Sequence, residues 1–480
     1  MVDVSKMGIE EICSSLKNKV FSCEELVKYY LSNIEKYKDK NAVLEVFEDA
    51  VEKAQEVDKL IASGKELPAL CGLPIIIKDN ILYKGKNCSC ASMFLKDYVA
   101  QYNATAVQKL LDAGVVIIAR ANMDEFAMGG SCENSAFGAC KNAYSDNHVS
   151  GGSSGGSAVS VALDMCAAAL GSDTGGSVRQ PASFNGLVGI KPTYGKVSRF
   201  GLVAFASSFD QIGPITKSVR DNAIILNAIC GGDEHDDTSL KVECEDYLAS
   251  FKGDIKGLKV AIIKETVDYI AKSDYAEIFE NVKSWFISQG AQVDTYSIKD
   301  FELALPVYYT LAPAEATSNL ARFDGIKYSR RSEEATDIDS VYTLSRTEGF
   351  GKEVKRRILL GNFVLSSGFF DAYYLKAKNI QAALKKEYEK VLENVDVIIF
   401  PTTFGEAFVI NDKTASPVDM YVEDLFTVSA NVTGLPAISV PCGKGKSGLP
   451  LGLQIIGASN SEGTLYNVAD CFERMYKGEK

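Results

Sequence analysis

Two glycine- and serine-rich segments, GGSSGGS (151–157) and GSDTGGS (171–177), lie on either side of an apolar run. Segments of this composition can act as a flexible linker, as a loop that holds phosphate, or as the surroundings of a hydroxyl nucleophile. Ser177 ends the second segment, and glycines beside it would let backbone amides approach a developing oxyanion closely. The amides expected to bind that oxyanion belong to the three preceding residues, Thr174, Gly175 and Gly176.

Two of these three interpretations, the flexible linker and the phosphate-binding loop, agree less well with the sequence. The two segments bracket AVSVALDMCAAAL (158–170), whose small apolar residues are typical of a helix packed closely against a sheet. Neither segment is followed by the Lys of G-x-x-x-x-G-K-[ST], and neither contains the dinucleotide fingerprint G-x-G-x-x-G. The pattern therefore favours the nucleophile.

A serine nucleophile needs a base, and the chain offers few candidates. The only two histidines are His148, in a loop with no evident Asp partner, and His235, in an acidic run. Lys78 ends the apolar run LPIII (73–77) and is expected at the carboxyl end of a strand, where sites collect in α/β sheets. Burial would lower the pKa of its ammonium group and make the neutral amine a base. Taken alone, a strand-end lysine that reaches water remains the simpler interpretation.

The elements that would position these residues follow an alternating pattern. Ser22 and Glu25 have the spacing of a capping box before LVKYYLSNIEKY, and residues 47–63 continue with helical periodicity. Short apolar runs then alternate with helix-like stretches, which indicates an α/β fold with a sheet covered by helices. The runs expected to be strands are 73–77, 115–119, 187–190, 259–263, 396–400 and 437–440.

The overall composition limits the possible functions. The chain has 480 residues and a net charge of −12, which argues against a broad basic face for nucleic acid. No apolar run reaches the roughly 20 residues needed to cross a bilayer, and the amino terminus lacks a secretory signal, so we expect no membrane contact and a cytoplasmic location. Twelve cysteines without a CxxC pair predict reduced thiols and no metal site.

The sequence resembles the amidase signature family. The strings that carry the resemblance are GLPIIIKDN, GGSSGGSAVSVAL, GSDTGGSVRQPAS and VTGLPAISVP, within about residues 70 to 456. The resemblance implies that Ser177 is the nucleophile and Lys78 the base. It also implies that Ser153, 24 positions before Ser177, bridges them from a cis peptide bond. The fold that it implies is a large mixed β-sheet covered by helices on both faces.

The same resemblance implies a single domain over residues 1–480. Within it we expect an N-terminal helical segment at 1–65, a catalytic core with the Lys and Ser residues at 70–200, and a substrate-pocket region at 300–456. No internal repeat, low-complexity tract or Pro-rich linker contradicts this division.

The carboxyl-terminal half resembles one branch of the family, the A subunits of aminoacyl-tRNA amidotransferases that make Gln-tRNA(Gln) from Glu-tRNA(Gln). The strings are YYTLAPAEATSNLARFDGIKYS (308–329), SRTEGFGKEVKRRILLGNFVLSSGFFDAYYLKA (345–377) and MYVEDLFTVSANVTGLPAISVPCG (420–443). In that branch the substrate is glutamine, whose amide is cleaved to ammonia for a partner subunit. The match implies that Arg357 binds the α-carboxylate, Asp424 the α-ammonium, and Tyr308 closes over the ligand.

The partners implied by the branch are a large B subunit and a small C subunit in a heterotrimer. The tRNA, Glu-tRNA(Gln) or Asp-tRNA(Asn), is then met only through the B subunit. Because this chain lacks a P-loop, we expect it to hold no cofactor, and we assign ATP and Mg²⁺ to the partner. A free-standing amidase for another small amide is the alternative function. A scaffold without activity is disfavoured by the complete set Lys78, Ser153 and Ser177.

The chain departs from the family at two places. MGGSCEN (128–134) stands where MGSSTEN is common, and VSGGSSGG (149–156) where VPGGSSGG is common, so Gly130 and Ser150 differ. These changes are expected to alter the shape of the pocket and not the catalytic residues. Asp173 and Arg179, on either side of the nucleophile, are expected to form a structural ion pair because an unpaired buried charge is costly.

Overall fold

The computed structural model describes residues 3–242, 245–328, 330–411 and 423–478, so the beginning of the 420–443 string and the end of the 308–329 string lie outside the described residues. Eleven strands are present in this part of the chain. They are β1 Val43–Val46, β2 Pro74–Lys78, β3 Val116–Ala121, β4 Ala168–Asp173, β5 Val188–Lys191, β6 Gln211–Thr216, β7 Lys259–Ile263, β8 Gln292–Tyr296, β9 Val397–Pro401, β10 Ala437–Lys444 and β11 Pro450–Gly457.

All eleven strands belong to one sheet, in the order β1-β3-β2-β4-β6-β5-β10-β11-β9-β7-β8. Strand β2 pairs in parallel with β3 and β4, and β7 pairs in parallel with β8 and β9. The strands between these two groups pair antiparallel, including β10 with both β5 and β11. The sheet is therefore mixed, as expected, and all six predicted strands are confirmed within it.

Fifteen α-helices surround the sheet in the described residues. They are α1 Ile9–Lys17, α2 Cys23–Lys36, α3 Ala50–Ala62, α4 Thr105–Asp112, α5 Gly155–Ala162, α6 Arg179–Phe184, α7 Val219–Ile229, α8 Lys264–Ala271, α9 Ala276–Ser288, α10 Ala304–Leu320, α11 Ile338–Gly349, α12 Lys352–Leu365, α13 Lys376–Leu392, α14 Leu425–Thr433 and α15 Glu462–Tyr476. The predicted capping box is present, because Ser22 and Glu25 exchange side-chain and backbone hydrogen bonds at the start of α2.

Apolar side chains cover both faces of the sheet. In β9, Val397 and Ile399 belong to one buried cluster, whereas Ile398 and Phe400 belong to another. Successive residues of a strand point to opposite faces, so a strand buried on both sides reads as a continuous apolar run. This explains why DVIIF could be recognised as a strand from the sequence, and it confirms helices on both faces.

The run 158–170 was expected to be one helix, and this was wrong. Helix α5 ends at Ala162, the chain turns at Asp164 with a φ of 55°, and strand β4 begins at Ala168. Small apolar residues suit both a helix packed on a sheet and a central strand. Periodicity could not separate the two elements.

The cysteine prediction holds at most positions but fails at one. Ten cysteines among the described residues are free thiols, whereas Cys230 is disulfide-bonded, and Cys244 lies outside the described residues. The absence of close spacing argued against a metal cluster, but it could not detect a pair made by folding. No group of three His, Cys, Asp or Glu side chains in the described ranges could hold a metal ion. None of the described helices has the length and apolarity to span a membrane.

Candidate active site

Lys78 lies at the carboxyl end of β2 and is fully buried. Its Nζ donates to Ser153 Oγ at 2.7 Å, to Ser154 Oγ at 2.9 Å, and to Ser172 Oγ at 2.9 Å. Burial lowers the pKa of the Lys78 ammonium to about 7, partly opposed by the negative charge of Asp124. The amine is therefore neutral in part of its population near pH 7, as a proton acceptor requires.

Ser153 lies in the loop before α5, and the peptide bond between Gly152 and Ser153 is cis, as the resemblance implied. The loop is enclosed on both sides. The Gly152 amide donates to Gln180 Oε1 at 2.8 Å, and a Cβ at Gly152 would lie 2.1 Å from a carboxylate oxygen of Asp124. Glycine is needed at position 152 because no side chain would fit there.

The nucleophile loop joins β4 to α6 and contacts the Ser153 loop. The Ser154 amide donates to the carbonyl oxygen of Ser177 at 3.2 Å. Ser177 is 7% exposed, so the residue is buried but keeps some access from outside. Lys78, Ser153 and Ser177 thus lie on adjoining segments, and the first two are in direct hydrogen-bond contact.

The expected oxyanion donors are not equivalent in the structure. The Gly176 amide donates to Asp173 Oδ1 at 2.9 Å, so it is already occupied and the prediction for Gly176 is not supported. The reason is the buried Asp173 carboxylate, which also accepts from the Val178 amide at 3.1 Å. Thr174 is held by its hydroxyl, which donates to Asp210 at 2.6 Å. Thr174 and Gly175 remain the proposed amide donors.

The glycines of the loop also allow close packing. A Cβ at Gly175 would lie 2.6 Å from the hydroxyl oxygen of Tyr308, and one at Gly176 would lie 2.3 Å from Thr427 Oγ1. The Thr427 hydroxyl donates to the Gly175 carbonyl at 2.6 Å. Tyr308, from α10, therefore lies directly against the nucleophile loop, as the prediction that it closes over the ligand requires.

The ion pair expected between Asp173 and Arg179 is confirmed, with Arg179 Nη2 2.9 Å from Asp173 Oδ1. Both side chains are fully buried. The guanidinium holds the pKa of Asp173 far below its usual range against the opposing effect of burial. Arg179 also donates to the Thr427 carbonyl at 2.9 Å and to Asn431 Oδ1 at 2.6 Å, which fixes α14 against the nucleophile loop.

The other two predicted substrate residues lie near Tyr308 and Tyr309. The Tyr309 hydroxyl donates to Asp424 Oδ2 at 2.5 Å, and the Arg357 guanidinium lies 5.3 Å from the centre of the Tyr309 ring. Arg357 is also held by Glu353, one turn earlier on α12, at 2.8 Å. Burial raises the pKa of Asp424 to about 6, partly opposed by Tyr309 and by the charge of Arg357. A cation and a carboxylate are thus presented close together.

Gly130 lies beside Gln180 and Asp424. A Cβ at Gly130 would lie 3.5 Å from Gln180 Nε2 and 3.7 Å from Asp424 Oδ1, which is ordinary van der Waals contact. The departure from the family at this position therefore leaves space beside the predicted ammonium ligand. By contrast, Ser150 is fully buried and its hydroxyl donates to the Gly151 carbonyl at 3.0 Å.

Sequence reasoning missed several residues that complete the site. Ser154 and Ser172 share Lys78 with Ser153, and Gln180 and Thr427 hold the two loops. Ser154 and Gln180 lie within the sequence motifs given above. A serine or a glutamine does not reveal from its residue type alone which atoms it will contact in the fold. The rejected base, His148, is hydrogen-bonded through Nδ1 to Ser145 of its own loop at 2.7 Å.

Comparison with known proteins shows the family of the chain. The family model described as Amidase matches residues 25–466. The chain belongs to the amidase family. One amidase-family relative is the A subunit of the glutamyl-tRNA(Gln) amidotransferase of Caldanaerobacter subterraneus subsp. tengcongensis, 49% identical over 478 residues that cover 99% of this chain and 98% of the relative.

Two solved structures show how widely this amidase fold is shared. The A subunit of the glutamyl-tRNA(Gln) amidotransferase from Thermotoga maritima is similar with a TM-score of 0.82 and 39% identity, covering 99% of this chain and 96% of that one. The peptide amidase from Stenotrophomonas maltophilia is similar with a TM-score of 0.85 and 26% identity, and the match covers 100% of this chain and 98% of the peptide amidase. An amidotransferase subunit and a peptide amidase thus superpose about equally well on this chain, so the fold alone does not separate their substrates.

Proposed function

We propose that this amidase is the glutaminase subunit of an aminoacyl-tRNA amidotransferase. In this role it hydrolyses the side-chain amide of glutamine and supplies ammonia to a partner subunit, where Glu-tRNA(Gln), or Asp-tRNA(Asn), is amidated. The observation that carries the proposal is the buried Lys78 amine, 2.7 Å from Ser153 Oγ, in a site that also presents Arg357 and Asp424. The names of relatives at 49% and 39% identity support the same choice.

In the proposed reaction, Ser177 Oγ forms a bond to the amide carbon of glutamine. Its proton passes to Ser153 Oγ, whose own proton passes to the neutral Nζ of Lys78. The C–N bond then breaks, the nitrogen takes a proton back through Ser153, and ammonia leaves. Water attacks the Ser177 ester in the second half of the cycle and releases glutamate. The Thr174 and Gly175 amides are the proposed donors to the oxyanion.

Recognition of glutamine follows from two opposite charges in the pocket. We assign the α-carboxylate to the Arg357 guanidinium and the α-ammonium to the Asp424 carboxylate, with Tyr308 packed over the ligand. Glu353 and Tyr309 hold Arg357 and Asp424 in place. An amide without the charged α-carbon groups would offer neither residue a charge to bind, so the pocket favours a free amino acid over a simple amide.

The partners in this proposal are the B and C subunits of a heterotrimer, with tRNA reached through the B subunit. The acyl-phosphate chemistry that consumes the ammonia, with its ATP and Mg²⁺, belongs to the partner, and this chain contributes no cofactor. The whole reaction then takes place in the cytoplasm, where aminoacyl-tRNA is used.

The first experiment is release of ammonia from glutamine by the chain alone and with its B and C subunits, tRNA and ATP. Ser177→Ala is expected to lower kcat by roughly 10⁴- to 10⁶-fold because it removes the nucleophile. Ser160→Ala is a matched control, since the buried Ser160 hydroxyl has no hydrogen-bond partner among the described residues. Full activity in the Ser177 variant would contradict the mechanism.

A free-standing amidase remains the second candidate because the peptide amidase has the same fold at a TM-score of 0.85. The two functions differ in how they depend on Asp424. For a glutaminase, Asp424→Asn should raise KM for glutamine by tenfold or more and leave hydrolysis of a simple amide such as propionamide unchanged. Rapid turnover of simple amides without partners, with glutamine inert, would favour the free-standing enzyme.

A further inference from the structure

Residues 205–210 form a buried turn directly before β6, and we call it the 205–210 turn. Its last residue, Asp210, closes the turn, because its carboxylate accepts from the Phe205 amide at 2.9 Å and from the Ala206 amide at 3.2 Å. The amides of Phe209 and Asp210 both donate to the Ala206 carbonyl at 2.9 Å. These four residues are each at most 3% exposed. The turn is therefore a hydrogen-bonded unit of the protein interior.

Asp210 also contacts the nucleophile loop. Its Oδ1 accepts from the Thr174 hydroxyl at 2.6 Å, and strand pairing places the next residue, Gln211, opposite Asp173. Burial raises the pKa of Asp210 to about 6, partly opposed by the hydrogen bond from Thr174. Above that pH the carboxylate can only accept hydrogen bonds, so the Thr174 hydroxyl must donate and its side chain is held in one orientation. Asp210 thus fixes a residue whose amide is a proposed oxyanion donor.

At the other end of the turn, Phe205 contacts the residue that we assign to the α-carboxylate of glutamine. The guanidinium carbon of Arg357 lies 5.4 Å from the centre of the Phe205 ring. Arg357 is only 4% exposed. The attraction between a cation and a ring face is stronger where water is excluded than at an exposed site. Phe205 therefore helps to fix the position of the guanidinium.

The turn is also joined to α10, the helix that carries Tyr308. The ring of Phe209 lies 6.0 Å from the ring of Tyr308, edge to face. The Ser208 amide donates to a carboxylate oxygen of Glu315, also on α10, at 2.9 Å. One short segment therefore contacts the nucleophile loop, the proposed carboxylate ligand and the residue expected to close over the substrate.

We propose that the 205–210 turn positions both ends of the glutamine substrate. Asp210 acts on the oxyanion through Thr174. Phe205 acts on the α-carboxylate through Arg357. Both are positioning residues, and this inference rests on the proposed function. The two effects are separable by experiment, because every amide substrate forms the oxyanion but only an amino acid carries the α-carboxylate.

The test at the carboxylate end is Phe205→Leu, which removes the ring and keeps an apolar side chain. Ammonia release from glutamine is measured with the full chain and its B and C subunits. KM for glutamine is expected to rise about five- to thirtyfold, the effect of losing one buried cation–π contact, and kcat to stay within about twofold of wild type. Turnover of propionamide, which has no α-carboxylate, should not change.

Phe286→Leu is the matched control for this variant. Phe286 is a fully buried residue of α9 whose ring stacks on that of Phe472. Its replacement should lower stability in urea by an amount similar to that of Phe205→Leu and leave KM for glutamine unchanged. An equal rise of KM in the two variants would contradict the role of Phe205.

The test at the oxyanion end is Asp210→Asn, which keeps the shape of the side chain but replaces one acceptor oxygen with a donor. We expect kcat to fall by at least about tenfold for glutamine and propionamide alike, toward the loss of about 10²- to 10³-fold seen when one oxyanion donor is removed. Thr174→Val removes the same contact from the other side and should give the same fall even if Asp210→Asn folds poorly. Asp221→Asn is the matched control, because the buried Asp221 accepts from the Ile9 amide at 2.7 Å. Its kcat should equal that of wild type.

The outcomes separate this inference from the proposed function. If wild type is an active glutaminase and the variants lower stability in urea without these kinetic changes, the turn is only structural, the inference is wrong and the proposed function stands. Loss of propionamide turnover in Phe205→Leu would likewise overturn the separate roles of the two ends. Absence of glutamine turnover in wild type with its partner subunits defeats the proposed function, and the role of Phe205 is then wrong as well. Propionamide turnover by Asp210→Asn still decides the role of Asp210 in that case.

Discussion

Lys78 is surrounded by serine oxygens, and this determines its chemistry. Within the described part of the chain, its Nζ hydrogen bonds go to Ser153, Ser154 and Ser172, and none goes to a carboxylate. A carboxylate in contact would hold the proton on the ammonium, whereas hydroxyl groups can reverse direction and donate to a neutral amine. Asp124 acts on the Lys78 charge without a hydrogen bond to it. Burial thus lowers the pKa of Lys78, and the negative charge of Asp124 opposes this effect without a hydrogen bond.

The first prediction concerns pH. Because burial lowers the pKa of Lys78 to about 7, the neutral base is depleted below that pH and saturates above it. The kcat/KM for glutamine is therefore expected to rise with pH through a midpoint near 7, measured as ammonia release between pH 5.5 and 9. Lys78→Arg should be inactive over the whole range because its guanidinium stays charged. Activity that stays level down to pH 5.5 would exclude Lys78 as the base.

A second prediction concerns Gly130, where the pocket has room for a hydroxyl. Gly130→Ser is expected to add a hydrogen bond toward Asp424 or the ligand and to lower KM for glutamine by about two- to tenfold, the effect of one such bond. Gly129→Ser is the contrasting variant, because a Cβ there would lie 2.3 Å from Asp124 Cγ and should reduce soluble yield. An increase in KM for Gly130→Ser would contradict this prediction and would show that glutamine needs the space beside Gly130.

At the scale of elements, the sequence indicated six of the eleven strands in the described part of the chain and missed β1, β4, β6, β8 and β11. Runs such as DVIIF were recognisable because both faces of β9 are buried. Strand β8, Gln292–Tyr296, was missed because it lies at the sheet edge with polar and exposed residues. The roles of Lys78 and Ser153 could be predicted from the family motifs in the sequence. The role of Tyr309 could not, since it depends on the packing of α10 against Asp424.

A third prediction tests the contact between α10 and α12. Gly361→Val would place side-chain atoms against Pro313 O and Thr317 Oγ1, where a Cβ alone would lie at 2.1 and 2.2 Å. Overpacking of this kind costs about 1–3 kcal/mol of unfolding free energy. We expect that loss in urea denaturation together with a higher KM, because α12 carries Arg357. The neighbouring exposed Asn362→Ala should change neither.

At the scale of the whole molecule, Arg179 joins distant parts of the chain. Its guanidinium donates to Asp173, to Asn431 and to Gln454 of β11, so the nucleophile loop is tied to the carboxyl-terminal elements. Pairing of β5 with β10 brings these segments together in one sheet. Local periodicity carries no information on such pairing, which is why the sequence could not predict this network. The division into one domain over 1–480 stays a prediction.

The fourth prediction concerns that network. Arg179→Met leaves the Asp173 carboxylate buried without its cation, which costs about 3–5 kcal/mol of unfolding free energy. The double variant Asp173→Asn with Arg179→Met removes both charges and is expected to be more stable than Arg179→Met alone. Urea denaturation of the four proteins in this cycle measures the coupling. Strict additivity of the two single changes would show that the ion pair is not the source of the effect.

The pairing of β5 with β10 also governs how the enzyme is made. During synthesis, Val188–Lys191 leaves the ribosome long before Ala437–Lys444. Strand β5 can then pair with β6, but its other edge stays unpaired until β10 has been made. Ser177 and Lys78 are present early, but Arg179 lacks Asn431 and Gln454 until the last strands emerge. A nascent or truncated chain lacks these contacts to the nucleophile loop, so we expect the proposed glutaminase activity to appear only once Asn431 and Gln454 are in place.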